Sequence, residues 1–358
     1  MTLKNPDASG FDTPEFLDEM LAHLRAESGM DTTAFADNPV RLLGGFDTLI
    51  FAFNLAGVTN ELAGPLVIRL FSETGGAGQA RKETVFQNAM ADAGYPVPRV
   101  VIPGGERKIG GRPFNVMERV QGHSLMEEMM GDPEATARVI DQLAHTQSEL
   151  HTAPSSGVAD SLRESGIAAE EFRIVGQLRY VQRCIADPAL THLEPIVAWL
   201  IENRPDERDE LSICHGDFHP GNVMVDGGRV SGVLDWPGAL LADAEYDVVI
   251  TLVLMTVAGP SLVPDAPPGV FDAFAAAHLD SYSRRRTLDA ERLRYYRAQR
   301  AIRAFIRETA ARTPGVDPEL APRDQYPWSE EGATRRLVSV IKETTGIDAQ
   351  LPPGVEPE

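Results

Sequence analysis

Within eight residues, His215-Gly216-Asp217-Phe218-His219-Pro220-Gly221-Asn222, the sequence gathers two imidazoles, a carboxylate and a carboxamide. A short strand candidate, Leu211 to Cys214, leads into this cluster. A second apolar run, Val230 to Leu234, leads to Asp235, thirteen residues after Asn222. Between them Asp226-Gly227-Gly228 carries the turn chemistry of a hairpin. Two adjacent strand ends would therefore present Asp217, Asn222 and Asp235 together. Oxygen donors of this kind suit a hard cation such as Mg²⁺. A carboxylate beside them can orient and deprotonate a hydroxyl. Those are the parts that phosphoryl transfer needs. The competing chemistry is a metal hydrolase, with His215, Asp217, His219 and Asp235 as ligands of a transition metal. It leaves the hairpin and the strand-rich first part of the chain without a role.

The elements that must position these residues are legible in outline. A short amphipathic helix is expected over Pro14 to Ala26, in a helical leader covering residues 1–40. Arg41 to Leu55 and Gly64 to Phe71 read as strands. Ala80 to Ala93 has helical spacing, with Val85, Phe86, Ala89 and Met90 on one face, and Gly94 and Pro96 stop it. Arg99 to Ile102 and Phe114 to Arg119 read as strands joined by a turn at Gly104-Gly105 and Gly110-Gly111. After Gly122 the pattern turns helical: Glu134 to His151, Glu170 to Ile185, Leu193 to Asn203 and a buried helix over Val248 to Ala258. The expected organisation is a small strand-rich lobe over 41–120 and a large helical lobe over 121–358.

The segment from Leu211 to Trp236 resembles the signature of the aminoglycoside phosphotransferase and choline kinase group, the small-molecule branch of the protein-kinase-like fold. Its catalytic loop reads His-Gly-Asp-x-His/Gly-x-x-Asn, followed by an apolar strand ending in Asp. The protein kinase counterpart is H-R-D-x-x-x-x-N and then D-F-G. The resemblance implies an α+β fold of two lobes, a small antiparallel-sheet N-lobe and a mainly helical C-lobe. It implies a kinase that moves the γ-phosphoryl of ATP or GTP to an alcohol. Asp217 would be the base, and Asn222 and Asp235 would hold Mg²⁺. Asp247, opening a helix, would cap the catalytic-loop backbone. Ala244 stands where the family often has Pro.

The same resemblance places nucleotide binding in the first lobe. Gly44 and Gly45 fall where a phosphate-covering loop belongs, and glycines permit close backbone approach. Arg69 stands on a strand where the fold usually has Lys, as in macrolide phosphotransferases that read Val-Leu-Arg. Arg offers bidentate phosphate contacts but is not a neutral replacement. Glu83 fits the acidic partner of that basic residue. Glu118 to Val120 resembles the hinge whose backbone meets the nucleotide base. A nucleotide-binding pseudokinase with a regulatory role is the alternative from another class.

The acceptor is least legible. The chain has 358 residues and a formal charge of -20, a field that repels nucleic acid and anionic membranes and attracts cations. Asp160, Glu164, Glu170, Glu171 and the stretch at Trp328-Ser329-Glu330-Glu331 are candidates for a cationic alcohol. Against this, Arg284 to Arg312 carries ten arginines, which pair, snorkel or meet an anionic acceptor. Aminoglycosides lead by resemblance, with choline, macrolide, sugar and homoserine-like alcohols open. With 43% hydrophobic and 24% charged residues, the balance is that of a globular protein. The start lacks a signal-peptide pattern and only Cys184 and Cys214 are present, so a reducing cytoplasm is expected. No membrane or nucleic-acid partner is expected, and a monomer or homodimer.

Overall fold

Leu66-Val67-Ile68-Arg69-Leu70 alternates buried and half-buried side chains, as a strand with one face on a core must. In the computed structural model of the chain, the structure describes residues 11, 13–42, 48–59, 61–73, 75–168, 173–317, 319–320 and 329–357. Two compact units emerge, each assembled from separate stretches. Met1–Ser124, Ser156–Ile167 and Val223–Ala239 form one; Leu125–Ser155, Ala168–Asn222 and Leu240–Glu358 form the other. These boundaries depart from a division at residues 40 and 120.

In the first unit, α1 (Pro14–Ser28) starts at Thr13, whose hydroxyl accepts from the Phe16 N–H, with Pro14 in the first turn. Its buried stripe, Phe16, Met20 and Leu24, joins a core with Phe51, Ile68 and Phe114. That stripe is why the leader belongs to this unit. Short strands β1 (Ala34–Phe35) and β4 (Leu55–Ala56) pair with each other. The main sheet is antiparallel throughout, in the order β2 (Val40–Leu42), β3 (Leu49–Phe53), β5 (Leu66–Leu70), β7 (Arg112–Glu118), β6 (Val100–Ile109). Helix α2 (Gly76–Asp92) packs against β6 and β7.

The turn between β6 and β7 lies at Gly110-Gly111, both left-handed at φ 57° and 77°. Gly104-Gly105, expected in a turn, instead lies inside β6 as an irregularity in the ladder. A Cβ on Gly104 would sit 1.9 Å from the Phe114 carbonyl oxygen. The glycine there serves close strand approach rather than reversal. Strand β8 (His123–Ser124) closes a small sheet with the hairpin β10 (Val223–Asp226) and β11 (Arg229–Val233), in the order β11-β10-β8. The hairpin turns at Asp226-Gly227-Gly228 as its sequence implies. Helix α5 (Ser156–Glu164) belongs to this unit and packs near α2.

The second unit is helical: α3 (Leu125–Gly131), α4 (Thr136–Thr152), α6 (Ile174–Ile185), α7 (Glu194–Glu202), α8 (Ala244–Val253), α9 (Gly259–Leu262), α10 (Val270–Ser283), α11 (Ala290–Arg312) and α12 (Glu331–Thr345). A two-stranded ladder, β9 (Ser212–Cys214) against β12 (Leu240–Ala242), is its only sheet among the described residues. The core joins Val249, Val253 and Val257 to Tyr295, Ile302 and Phe305 of α11 and to Leu337 and Ile341 of α12. The apolar Val248 to Ala258 stretch is a core helix, α8 running into a wide turn at Leu254–Ala258.

Candidate active site

In the first unit, β5 pairs with β3 and β7 and so holds Arg69 in the middle of the sheet. The guanidinium forks. Its Nη1 donates to Glu83 Oε1 at 2.9 Å and its Nη2 to Asp235 Oδ1 at 2.6 Å. Glu83 lies on α2 with its side chain 1% exposed, against 11% for Arg69 and 36% for Asp235. Asn115 on β7 donates from Nδ2 to Glu83 Oε2 at 3.2 Å, and the Trp236 N–H also reaches that carboxylate. Burial pushes the Glu83 carboxyl above its ordinary value, against the pull of Arg69. Burial opposes the charge on Arg69 too, but Asp235 and Glu83 outweigh it and hold the guanidinium above its ordinary value.

Asp235 follows β11 at φ 69° and ψ 64°. It is the one non-glycine residue with positive φ among the described residues. Asp tolerates this left-handed region better than most side chains, and such positions concentrate at functional sites. The neighbouring Trp236 is fully buried, donates from its ring N–H to the Val233 carbonyl at 2.8 Å and meets Tyr95 edge-on. The arrangement pins the strand end from which Asp235 projects.

In the second unit, β9 delivers His215 buried and Asp217 with its side chain 40% exposed. Gly216 between them is left-handed at φ 79°. Its N–H donates to Asp247 Oδ1 at 2.7 Å, so Asp247 does cap the loop backbone. Burial opposes the charge on Asp247, but the hydrogen bonds from His151 and the Gly216 N–H outweigh it and hold the carboxyl below its ordinary value. Asn222 donates from Nδ2 to the Asp217 carbonyl at 2.9 Å and lies 3.5 Å from Asp217 Oδ2. That assignment of the nitrogen leaves Asn222 Oδ1 as the oxygen available to a cation.

The Asn222 carboxamide oxygen in this unit and the Asp235 carboxylate in the first are each the kind of hard oxygen donor that suits Mg²⁺, which keeps waters and shares substrate phosphates rather than needing an all-protein cage. Among the described residues no three His, Cys, Asp or Glu side chains gather as a metal cluster. His215 Nδ1 accepts from the Asp217 N–H at 3.3 Å and His219 Nδ1 from the Gly221 N–H at 3.1 Å, so both imidazoles serve the loop.

The remaining expected site residues divide. Gly44 and Gly45 lie outside the described residues, as do Glu170, Glu171 and Trp328. Glu118 ends β7; its N–H donates to the Arg99 carbonyl at 3.0 Å and its Oε2 accepts from the Arg99 N–H. The Arg119 N–H is given to the Pro65 carbonyl at 2.9 Å. The Val120 side chain packs over Gly232. Asp160 pairs with Arg163 on the surface of the first unit. Glu330 caps α12 by accepting from the Ala333 N–H, and Glu331 pairs with Arg335. These acids have local structural duties.

The arginines of α11 mostly pair or stack. Arg292 bonds Asp243, Arg297 meets Glu343 at 3.0 Å, and Arg303 lies 4.9 Å over the Tyr180 ring. Burial lowers the Arg300 pKa from the ordinary value, while Tyr246 and Asp217 act in the other direction. The residues that the sequence did not announce as site residues are Asn115, which locks Glu83, and a buried group on α4 and α10 beneath Asp217. A lone Asn in the apolar run Phe114 to Met117 was the one available signal for the first.

The model of a family described as phosphotransferase enzymes matches residues 41–296. An aminoglycoside 3'-phosphotransferase of Streptomyces fradiae is 31% identical over 207 residues, 57% of this chain and 72% of that protein. Acyl-CoA dehydrogenase family member 11 of Homo sapiens is 27% identical over 165 residues, 45% of this chain but 21% of that longer protein. Among solved structures, a thermostable mutant of aminoglycoside phosphotransferase APH(4)-Ia, in ternary complex with AMP-PNP and hygromycin B, superposes with a TM-score of 0.59. It is 17% identical and covers 92% of this chain and 100% of its own. That likeness carries the fold: the α+β, protein-kinase-like arrangement of an antiparallel-sheet part and a helical part.

Proposed function

The chain belongs to the phosphotransferase enzyme family, and from that premise we propose that it transfers the γ-phosphoryl group of ATP or GTP to the hydroxyl of a small molecule. The observation that carries this reading is Arg69 held between a buried Glu83 and the strand-end Asp235. A basic side chain fixed by a second acid is pre-organised for phosphate, and little of its rotamer freedom remains to be lost on binding.

In this reading Asp217 accepts the proton of the acceptor hydroxyl as its oxygen forms a bond to the γ-phosphorus. The bond to the bridging oxygen breaks, and the nucleoside diphosphate leaves with the electron pair. Arg69 steadies the donor phosphates and Glu83 fixes Arg69. Asn222, through Oδ1, and Asp235 are the side chains that would hold Mg²⁺, whose contribution when bound is to neutralise phosphate charge. Gly44 and Gly45 are assigned to the phosphate-covering loop. The N–H groups of Glu118 and Arg119 are already engaged. A nucleotide base at the end of β7 would thus use the Val120 N–H and the Glu118 carbonyl.

An aminoglycoside is the leading acceptor, supported by the similarity to the Streptomyces fradiae enzyme and by the net charge of -20. The ten arginines of 284–312 favour a second reading, an acceptor alcohol that carries an anionic group. The test is a panel of aminoglycosides including hygromycin B, macrolides, choline and hydroxy acids, each with ATP and with GTP, read by mass gain of one phosphate. Gain on an aminoglycoside supports the first acceptor, and gain on a hydroxy acid the second. Nucleotide binding with no phosphorylated product across the panel would favour the pseudokinase.

A further inference from the structure

Beneath the catalytic loop lies a buried hydrogen-bond network larger than Asp247 alone. Asp247 Oδ2 accepts from His151 Nε2 at 3.0 Å and from Gln147 Nε2 at 3.2 Å. Gln147 Nε2 also donates to Thr251 Oγ1 at 3.1 Å, and the Thr251 hydroxyl donates to the Phe218 carbonyl at 2.7 Å. The network therefore grips the residues on both sides of Asp217: the N–H of Gly216 and the C=O of Phe218. All four side chains and the loop belong to one compact unit.

Two residues of α10 terminate the network. Tyr282 Oη lies 2.6 Å from His151 Nδ1, and His278 Nε2 lies 2.9 Å from Gln147 Oε1. They are four residues apart and so share a helix face. The proton positions follow from the partners. Gln147 must turn its N–H groups toward the carboxylate and Thr251, which leaves Oε1 for His278. His278 must therefore carry its proton on Nε2. Its Nδ1 is buried with no hydrogen-bond partner, which a lone pair tolerates better than a second N–H would. The side chains of His278, Gln147, His151, Asp247 and Thr251 are each at most 5% exposed. Apolar residues would fill this space without the cost of satisfying so many polar groups.

We propose that His278 and Tyr282 are positioning residues for Asp217, acting through Gln147, His151, Asp247 and Thr251 on the two backbone groups that flank the base. Tyr282 fixes the ring of His151, which steers Asp247 and through it the Gly216 N–H. His278 fixes the amide of Gln147, which steers both Asp247 and Thr251 and through them the Phe218 carbonyl. Residues 61 and 65 positions beyond Asp217 in sequence thus set where its carboxylate sits. The link to catalysis rests on the phosphotransferase reading above; the link to loop geometry does not.

The test uses the full chain and the variants Tyr282→Phe, His278→Leu, His278→Gln and Leu279→Ala. Leu279 packs apolar surface of the same helix and is outside the network. Hydrogen exchange followed by mass spectrometry should show faster exchange over 211–222 in Tyr282→Phe and His278→Leu. His278→Gln, which restores a donor, should stay near wild type, and Leu279→Ala should leave the loop unchanged. With ATP and whichever acceptor of the panel responds, kcat should fall about tenfold in the first two variants with the KM for ATP unchanged. Loop exchange that stays at the wild-type rate, or that rises equally in Leu279→Ala, overturns the proposal. So does an unchanged kcat. A wild-type chain with no transfer to any acceptor sinks the phosphotransferase assignment of the site, and the exchange data then decide the positioning claim alone.

Discussion

Removing the charge of Arg69 gives the most quantitative handle on the nucleotide half of the site. Arg69 and Glu83 are 11% and 1% exposed and 2.9 Å apart, so both have given up most of their hydration. Breaking such a buried pair from one side costs about 3–5 kcal/mol, because the surviving charge is left uncompensated. The contact with Asp235, 36% exposed, is discounted to about 1 kcal/mol or less for solvent screening. Arg69→Met should then destabilise by about 3–5 kcal/mol, nearly all of it through Glu83. Glu83→Gln alone leaves Arg69 with Asp235 only, and should cost somewhat less. The double variant buries neither charge, so its cost should fall short of the sum by about 2 kcal/mol. Urea unfolding followed by tryptophan fluorescence measures the stability terms. Nucleotide affinity, measured on the same proteins by calorimetry, separates the two roles of Arg69. Stability should recover in the double variant while affinity stays as low as in Arg69→Met. Additive stability costs would refute the claim that Arg69 and Glu83 share one buried interaction. Affinity that recovers with stability would refute the phosphate role.

Acidification gives a second prediction. Burial lowers the His278 imidazole from 6.5 to about 4. The unfolded chain takes up this proton first, so the contribution is present above about pH 6.5 and is lost as pH falls toward 4, at about 1.4 kcal/mol per unit. His278→Gln should flatten that part of the stability profile in a pH series of urea unfolding curves, and an unchanged slope would contradict the assignment of a neutral ring. Asn115→Leu removes one donor to the buried Glu83 carboxylate; losing that hydrogen bond should cost about 1–3 kcal/mol in the same assay. Cys184 and Cys214 are both fully buried, and burial pushes the Cys214 thiol well above its ordinary value. Neither should react with a water-soluble disulfide reagent until urea unfolds the chain.

How much of this was legible in the sequence depends on how local the cause is. The loop from His215 to Asn222, the Asp226-Gly227-Gly228 turn and the alternation of β5 are written in consecutive residues, and each stands where its pattern implies. The Gly104-Gly105 pair has turn composition, yet it serves the approach of β6 to Phe114, which is decided by a neighbouring strand. Strand β8 and helix α3 are too short to show a period. The pairing of β8 with β10 joins His123 and Ser124 to residues a hundred positions later, and no window on the sequence contains both.

The site followed the same rule. Asp217, Asn222 and Asp235 were candidates because their types and spacing suit the chemistry. Arg69 and Glu83 came with the family resemblance, and their pairing needed the sheet to set β5 beside β7, on which α2 packs. Gln147, His278 and Tyr282 were silent, and Asn115 showed only as a lone polar residue in an apolar run. Each is an ordinary residue in an apolar helix or strand, and its role comes from which polar group it meets in the folded chain.

The central claim is that Asp217 is the base of a phosphoryl transfer to a small-molecule hydroxyl. The direct measurement compares wild type with Asp217→Asn, using ATP and Mg²⁺ and an acceptor that gains one phosphate by mass. The side chain is 40% exposed, so the fold and the nucleotide affinity should survive the change. In Asp217→Asn kcat should fall by about 10²–10⁴ with the KM for ATP held near wild type. Phosphorylated acceptor formed at an undiminished rate by Asp217→Asn would contradict it.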